Sequence, residues 1–340
     1  MRKLTITAFS LILYLAIGHT VFGQETTRGG GPSLDTQTSI LKFKNLTTYI
    51  GEAIEKVPHG QGILLNSKQD TIYDGQFEQG RRSGFGVYYF DSGNVYEGNW
   101  FENRMDGQGT MTYREGEKYS GEWQISQRHG IGTYYYKDGS VYDGGFVQGY
   151  PSGKGTLTQA DSKYEGDWVY GQKNGKGKQE RWDVAYTEVY EGEFQNGLYH
   201  GYGEWHHIKD GVDTYYVGNW IEGVKQGKGT YKINGRVMEG VWKDDHATGT
   251  GSSTTEEGTY EGQFLKGFFE GKGTFYYANG DKYEGEWVRG KRQGEGTMYR
   301  DNGGIFSGEW YMNMKHGNGT LTKDGQTLKM YYERDHRAVQ

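Results

Sequence analysis

The chain of 340 residues contains no cysteine, which excludes both a disulfide framework and a lipidated N-terminal cysteine. Only 33% of it is hydrophobic while aromatic residues make up 16%. That is too little aliphatic content for a conventional layered core, although the length would allow two ordinary domains. Its many Gly-x-Gly pairs are not followed by a helix signal, so they are not phosphate-binding loops. No nucleophile stands with an orienting base.

What the chain has is a unit of about 23 residues repeated twelve times. Its first positions are Tyr49, Tyr73, Tyr96, Tyr119, Tyr142, Tyr164, Tyr190, Tyr216, Met238, Tyr260, Tyr283 and Phe306. Position five is aromatic in every unit except the first, where Ala53 stands, and it holds seven of the nine tryptophans. Positions three, twelve and fourteen are Gly throughout, which accounts for thirty-six of fifty-nine glycines.

On an extended strand, positions one, three and five share one face, and that aromatic face is the buried one. A strand glycine costs roughly 0.5 to 1 kcal/mol relative to Ala. Strict retention therefore predicts that neighbouring rings lie across the bare backbone. Gly, Asn or Asp at position eight marks a hairpin tip, as at Gly80, Asn103 and Asp245. A second turn follows at Ser92-Gly93, Asp138-Gly139, Asn234-Gly235, Asn279-Gly280, Asn302-Gly303 and Asp324-Gly325, pairs that suit primed hairpin turns. Each unit reads as one β-hairpin.

This pattern resembles the membrane occupation and recognition nexus (MORN) repeat, Tyr-x-Gly-x-Trp-x-x-Gly-x-x-x-Gly-x-Gly. The segment from Tyr283 to Gly296 matches it at every motif position, and the resemblance covers residues 49 to 327. Departures are local: Ala53, Lys56 at the first tip, and Met238. The resemblance implies an all-β, elongated solenoid of consecutive antiparallel hairpins, a single-layer twisted sheet about 115 Å long at ordinary strand spacing. It also implies a binding module rather than an enzyme, with no cofactor. Protein partners, membrane lipids and self-association through the array ends are the partner classes it allows. The catalytic domains attached to some MORN arrays, such as phosphatidylinositol phosphate kinases, have no counterpart among these residues.

The N-terminus carries an expectation of its own. Met1-Arg2-Lys3 is followed by the apolar run Leu4 to Gly18 and a small-residue cleavage site at Val21-Phe22-Gly23, a secretory signal peptide over 1–23. An uncleaved N-terminal anchor is the other reading. The expected location is therefore periplasmic, cell-surface or secreted. Residues 24–39 read as a flexible leader, 40–48 as a cap strand, and 328–340 as a C-terminal cap strand with a charged tail.

Charge is sorted by repeat position. Positions two and four carry fourteen acids and no base, whereas positions nine and ten carry nine bases and no acid. Those bases are Arg81, Arg82, Arg104, Arg128, Lys173, Lys225, Lys291, Arg292 and Lys315. They form either a basic edge that meets lipid headgroups or other anions, or a solvated surface that keeps a long ribbon soluble. Loss of Arg2 and Lys3 with the leader takes the net charge from −6 to −8, which disfavours nucleic acid.

The period breaks once, in units six and seven, which are each 26 residues long. Their extra segments hold Trp182 and Trp205, the tryptophans outside position five, with Tyr186, His206, His207 and Tyr215 close by. Adjacent insertions at one repeat position project side by side and often build a solenoid's binding face; the alternative is two longer hairpins whose aromatics pack on each other. The expectation is an exported scaffold at the cell envelope that binds a protein there, with lipid association or carbohydrate stacking in an aromatic groove as alternatives.

Overall fold

A computed structural model describes residues 37–337 as twenty-seven strands with no helix, each hydrogen-bonded to its neighbours in the chain to form one open antiparallel sheet. The segments expected over residues 1–36 lie outside the described residues. The cap strand begins earlier than expected and is shorter: β1 spans Gln37–Lys42, a turn at Phe43 to Thr47 follows, and β2 spans Thr48–Ile54.

Glycine builds the sheet's midline. Gly51 faces Gly62, which faces Gly75, and so on through Gly308 and Gly319, an unbroken row of twenty-four glycines from β2 to β25 (Met314–Lys323). Across this row lie the position-one rings. The Tyr164, Tyr190 and Tyr260 hydroxyls donate to the carbonyls of Asp167, Glu193 and Gln263 at 2.9–3.0 Å, and all ten anchor tyrosines make this bond three residues on. A Cβ on Gly285 would stand 2.6 Å from the Gly296 Cα and 2.5 Å from the Tyr283 hydroxyl. Room for the ring exists only because both residues are bare.

Tryptophan fastens one unit to the one before it. The indole N–H of Trp100, Trp123, Trp168, Trp220, Trp242, Trp287 and Trp310 donates to the carbonyl of the preceding unit's position-fourteen glycine at 3.0–3.3 Å. Each anchor ring also meets the next unit's position-five ring edge-on and, except at Tyr49 beside Ala53, its own, as Tyr164 does with Phe194 at 5.0 Å and Trp168 at 5.2 Å. Such contacts contribute about 0.5–1.5 kcal/mol each beyond burial. At the C-terminal end Tyr332, on β26 (Gln326–Glu333), meets Phe306 at 5.3 Å, as a position-five ring would.

The position-twelve glycines serve a different purpose from the one expected. All twelve have a left-handed backbone, φ between +58° and +95°, at a β-bulge where the hairpin register shifts. In five units the position-four side chain folds over this bulge and accepts the position-thirteen N–H, Gln76 from Phe85, Glu122 from Ile131, Asp167 from Lys176, Gln263 from Lys272 and Glu309 from Asn318, at 3.0–3.3 Å. The carboxylates of Glu122, Asp167 and Glu309 are thus bulge caps rather than free surface charges. At the tips, positions seven and eight both have positive φ, as at Asn196 (50°) and Gly197 (83°), a primed turn.

The second turns only partly follow expectation. Asn234-Gly235 and Asp324-Gly325 are primed, but at Ser92-Gly93, Asp138-Gly139, Asn279-Gly280 and Asn302-Gly303 only the glycine is left-handed. There the glycine N–H bonds back three residues, as Gly93 does to Phe90 at 2.8 Å, because these loops are longer than two residues.

Two measurements follow from this packing. Gly285→Val forces a backbone clash that no rotamer relieves and should cost about 3 kcal/mol or more. Thr297→Val, which loses a 2.9 Å hydroxyl bond to Ser307, should cost about 1 kcal/mol. Equal melting shifts would refute the steric role of the glycine row. Burial raises the anchor phenols, Tyr49 and Tyr260 to about 12 and the others higher, against about 10 in an unfolded chain. Between these values the unfolded state has released protons the folded state still holds. Stability is therefore complete below pH 10 and falls as pH rises towards 12. Phenolate absorbance should appear together with loss of β-sheet circular dichroism in one steep alkaline transition; gradual ionisation from pH 10 with the fold intact would contradict it.

Candidate functional site

The extra residues of the two long units lengthen four neighbouring strands: β13 (Gln172–Trp182), β14 (Tyr186–Gln195), β15 (Leu198–Lys209) and β16 (Val212–Ile221). They project beyond the neighbouring strands at the second-turn edge, opposite the hairpin tips. Ladder pairing continues through the projection, with Trp182 facing Thr187, Tyr186 facing Lys209 and His206 facing Tyr215.

Strand alternation divides the six expected site residues between two faces. On the aromatic face, the Trp205 and His207 rings are nearly parallel with centroids 6.0 Å apart, and Tyr186 lies 5.0 Å from His207. Trp205 packs against the core, with the Lys225 ammonium 5.5 Å from its ring. On the other face His206 Nδ1 lies 3.0 Å from Asp213 Oδ2 and its ring 5.7 Å from Tyr215. Trp182 is on this face, its surface 39% exposed.

Three apolar residues that sequence reasoning missed complete the exposed part: Val184, Ile208 and Val212. Their signal was available as aliphatic residues in and beside turns, where polar residues are the rule. The exposed end of the insertion is thus apolar on both faces, with Trp182 and Ile208 beside the His206–Asp213 pair on one and Val212 with Tyr186, Trp205 and His207 on the other.

The nine bases also divide. Position ten faces the aromatic core, so Arg82 lies 4.3 Å from the Trp100 ring, Arg128 4.8 Å from Tyr134 and Arg292 4.4 Å from Trp310. Each of these guanidinium groups also donates to a carbonyl at the next unit's tip: Asn103, Gly149 and Asn313 respectively, at 2.7–3.1 Å. Lys173 donates to Gln179 at 3.0 Å, and burial lowers it to about 8. Lys225 and Lys315 sit among rings in the same way and are likewise lowered by burial. Only Arg81, Arg104 and Lys291 point outward, and Arg81 is paired with Glu102 at 2.7 Å. The expectation of one continuous basic edge is therefore corrected: six of the nine bases face the core, because strand alternation turns position ten inward.

Carbohydrate stacking in an aromatic groove is also at odds with the geometry, since the anchor rings are covered by the next unit. An open trough of about 1090 Å³ lies on the opposite, polar face along residues 143–204, and Tyr202 is the one ring among its lining residues. Among the described residues no group of three or more His, Asp or Glu gathers at metal-binding distance, and no helix is long and apolar enough to cross a membrane.

A family model of the MORN repeat matches ten segments: 73–95, 96–118, 119–141, 142–162, 164–180, 190–207, 216–235, 260–282, 283–305 and 306–327. The units anchored on Tyr49 and Met238 are unmatched, yet both are hairpins like the rest. Among curated proteins, Alsin of Rattus norvegicus is 32% identical over 256 residues, 71% of this chain but 11% of that protein. Human Alsin is 32% identical over 227 residues, 64% of this chain and 9% of its own length. MORN repeat-containing protein 3 of Xenopus laevis is 37% identical over 71 residues, 19% of this chain and 30% of that protein. The chain thus spans about a tenth of the Alsins.

The division of the bases has a direct test. Arg292→Glu should destabilise by about 1–3 kcal/mol, losing a cation–π contact and a charged hydrogen bond, whereas Lys291→Glu next to it should leave the melting temperature nearly unchanged. Equal effects would mean that Arg292 does not belong to the core.

Proposed function

Because the chain belongs to the MORN repeat family, whose repeats are generally binding and scaffold modules, we propose that it is an exported, non-enzymatic interaction scaffold at the cell envelope with a protein partner. The observation that carries this reading is the apolar edge of the long hairpins, where Trp182, Val184, Ile208 and Val212 stand exposed on a rigid four-strand projection. Elsewhere many of the array's recurrent polar groups are used by the fold: the anchor phenols bond carbonyls, Glu122, Asp167 and Glu309 cap bulges, and the position-ten cations lie on rings. Those commitments favour a recognition role over chemistry. Export rests on the charge and hydropathy pattern of residues 1–23. Lipid association through the tips is the weaker reading, because only three of the nine tip bases face outward.

A photo-cross-linking residue installed at Trp182 should capture one discrete envelope protein in the native host, while the same residue at Tyr299 should not. Trp182→Ala should weaken that capture with a melting shift within about 2 °C; Trp205→Ala should lower stability instead. A cross-link to lipid alone, or identical patterns from both sites, would refute a protein-binding edge.

A further inference from the structure

The opposite edge, where the hairpin tips line up, has a charge pattern that neither the repeat nor the insertion requires. In units four to seven, positions six to nine read Gln124-Ile125-Ser126-Gln127, Val147-Gln148-Gly149-Tyr150, Val169-Tyr170-Gly171-Gln172 and Gln195-Asn196-Gly197-Leu198, with no charged residue in sixteen positions. The flanking tips are charged: Glu102 and Arg104 before, Glu222 and then Asp244 and Asp245 after. Ile125, Val147, Tyr150, Val169, Tyr170 and Leu198 are between 38% and 63% exposed.

These tips form one fixed surface. The position-eight N–H of each bonds the position-ten carbonyl of the unit before, Gly149 to Arg128, Gly171 to Pro151 and Gly197 to Lys173, at 2.8–2.9 Å. Tyr150 and Tyr170 meet edge-on with centroids 6.3 Å apart at the middle of the patch. Four tips at two strands per unit cover about 30 Å along the edge.

From this we infer that the uncharged tip edge is an isologous interface between two copies of this chain. Charge selects that occupant. Each copy has a formal net charge of −6, and these sixteen tip positions bring no like charges together when two copies approach through them. Area supports it as well. By ordinary side-chain areas the six apolar residues expose roughly 600 Å², and the glutamine and asparagine rim brings this near the 800 Å² per partner of a standard interface. A two-fold axis through the patch centre, between Tyr150 and Tyr170, sets each apolar row against its own copy. The contact is side-on, distinct from both the array ends and the Trp182 edge, so it stands or falls independently of the envelope partner.

Sedimentation equilibrium of the full chain should show a dimer at tens of micromolar. Val147→Asp combined with Tyr170→Asp should raise its dissociation constant about a hundredfold or more. Leu265→Asp combined with Phe268→Asp, at an equally apolar but isolated tip, should not change it. Circular dichroism of each variant should match the wild type. Because the chain has no cysteine, Tyr170→Cys and Phe268→Cys give single thiols, and a short bis-maleimide should join two copies only through position 170. A monomeric wild type, a dimer that survives the Val147 and Tyr170 changes, or equal cross-linking at 170 and 268 would overturn the interface.

Discussion

The structure depends on one arrangement: a tyrosine ring laid flat across two facing glycines, its hydroxyl bonded to a carbonyl three residues further on. The ring supplies the apolar burial that a single-layer sheet otherwise lacks, and the bond consumes a backbone acceptor near the bulge. Glycine at all twenty-four positions of the row costs strand propensity, yet it allows the rings to approach the backbone closely enough to exclude water. The anchor tyrosines are accordingly at most 1% exposed although only one layer of strands is present.

Polar groups are distributed by the same logic. An acid or amide at position four, as at Glu122, Asp167 and Gln263, accepts from a backbone amide beside the left-handed glycine at position twelve, and Arg82, Arg128 and Arg292 at position ten cover the edge of the ring stack while bonding the next tip. These groups look like surface charge in a linear sequence and behave as internal fittings in the sheet. What remains for recognition is therefore at the two long edges, where loop composition is not dictated by the repeat. Both surfaces singled out above lie there, one at the longer second turns and one at the uncharged tips.

The hairpin array was legible because its period is short and the residues that define it are chemically extreme. Gly at three positions and aromatics at two leave few backbone solutions. Even the units anchored on Tyr49 and Met238, which the family model does not match, follow from the glycines around them. The bulge was not legible because it inserts a register shift that simple alternation does not encode, whereas the inward turn of Arg82, Arg128 and Arg292 follows from alternation itself, which sets position ten opposite the position-five ring, as Phe77 faces Arg82, Trp123 faces Arg128 and Trp287 faces Arg292. The insertion site was half legible. Trp182 and Trp205 advertised themselves by breaking the period, but they lie on opposite faces, and the aliphatic residues beside Trp182 carry no motif.

The ninth unit interrupts the array's stack of rings. Among the described residues every anchor ring touches the next unit's position-five ring except at Met238, where the run of ring contacts stops at Trp242 and resumes at Tyr260. Arg236 bridges the gap instead, its guanidinium 5.3 Å from Phe269 and its Nε bonded to the buried Ser253 at 2.7 Å. In a stack stabilised by nearest-neighbour terms, the weakest interface decides where the chain parts under load or heat. The strand ladder runs unbroken through residues 236–254 while the ring stack does not, so thermal or mechanical unfolding is expected to part the array there first.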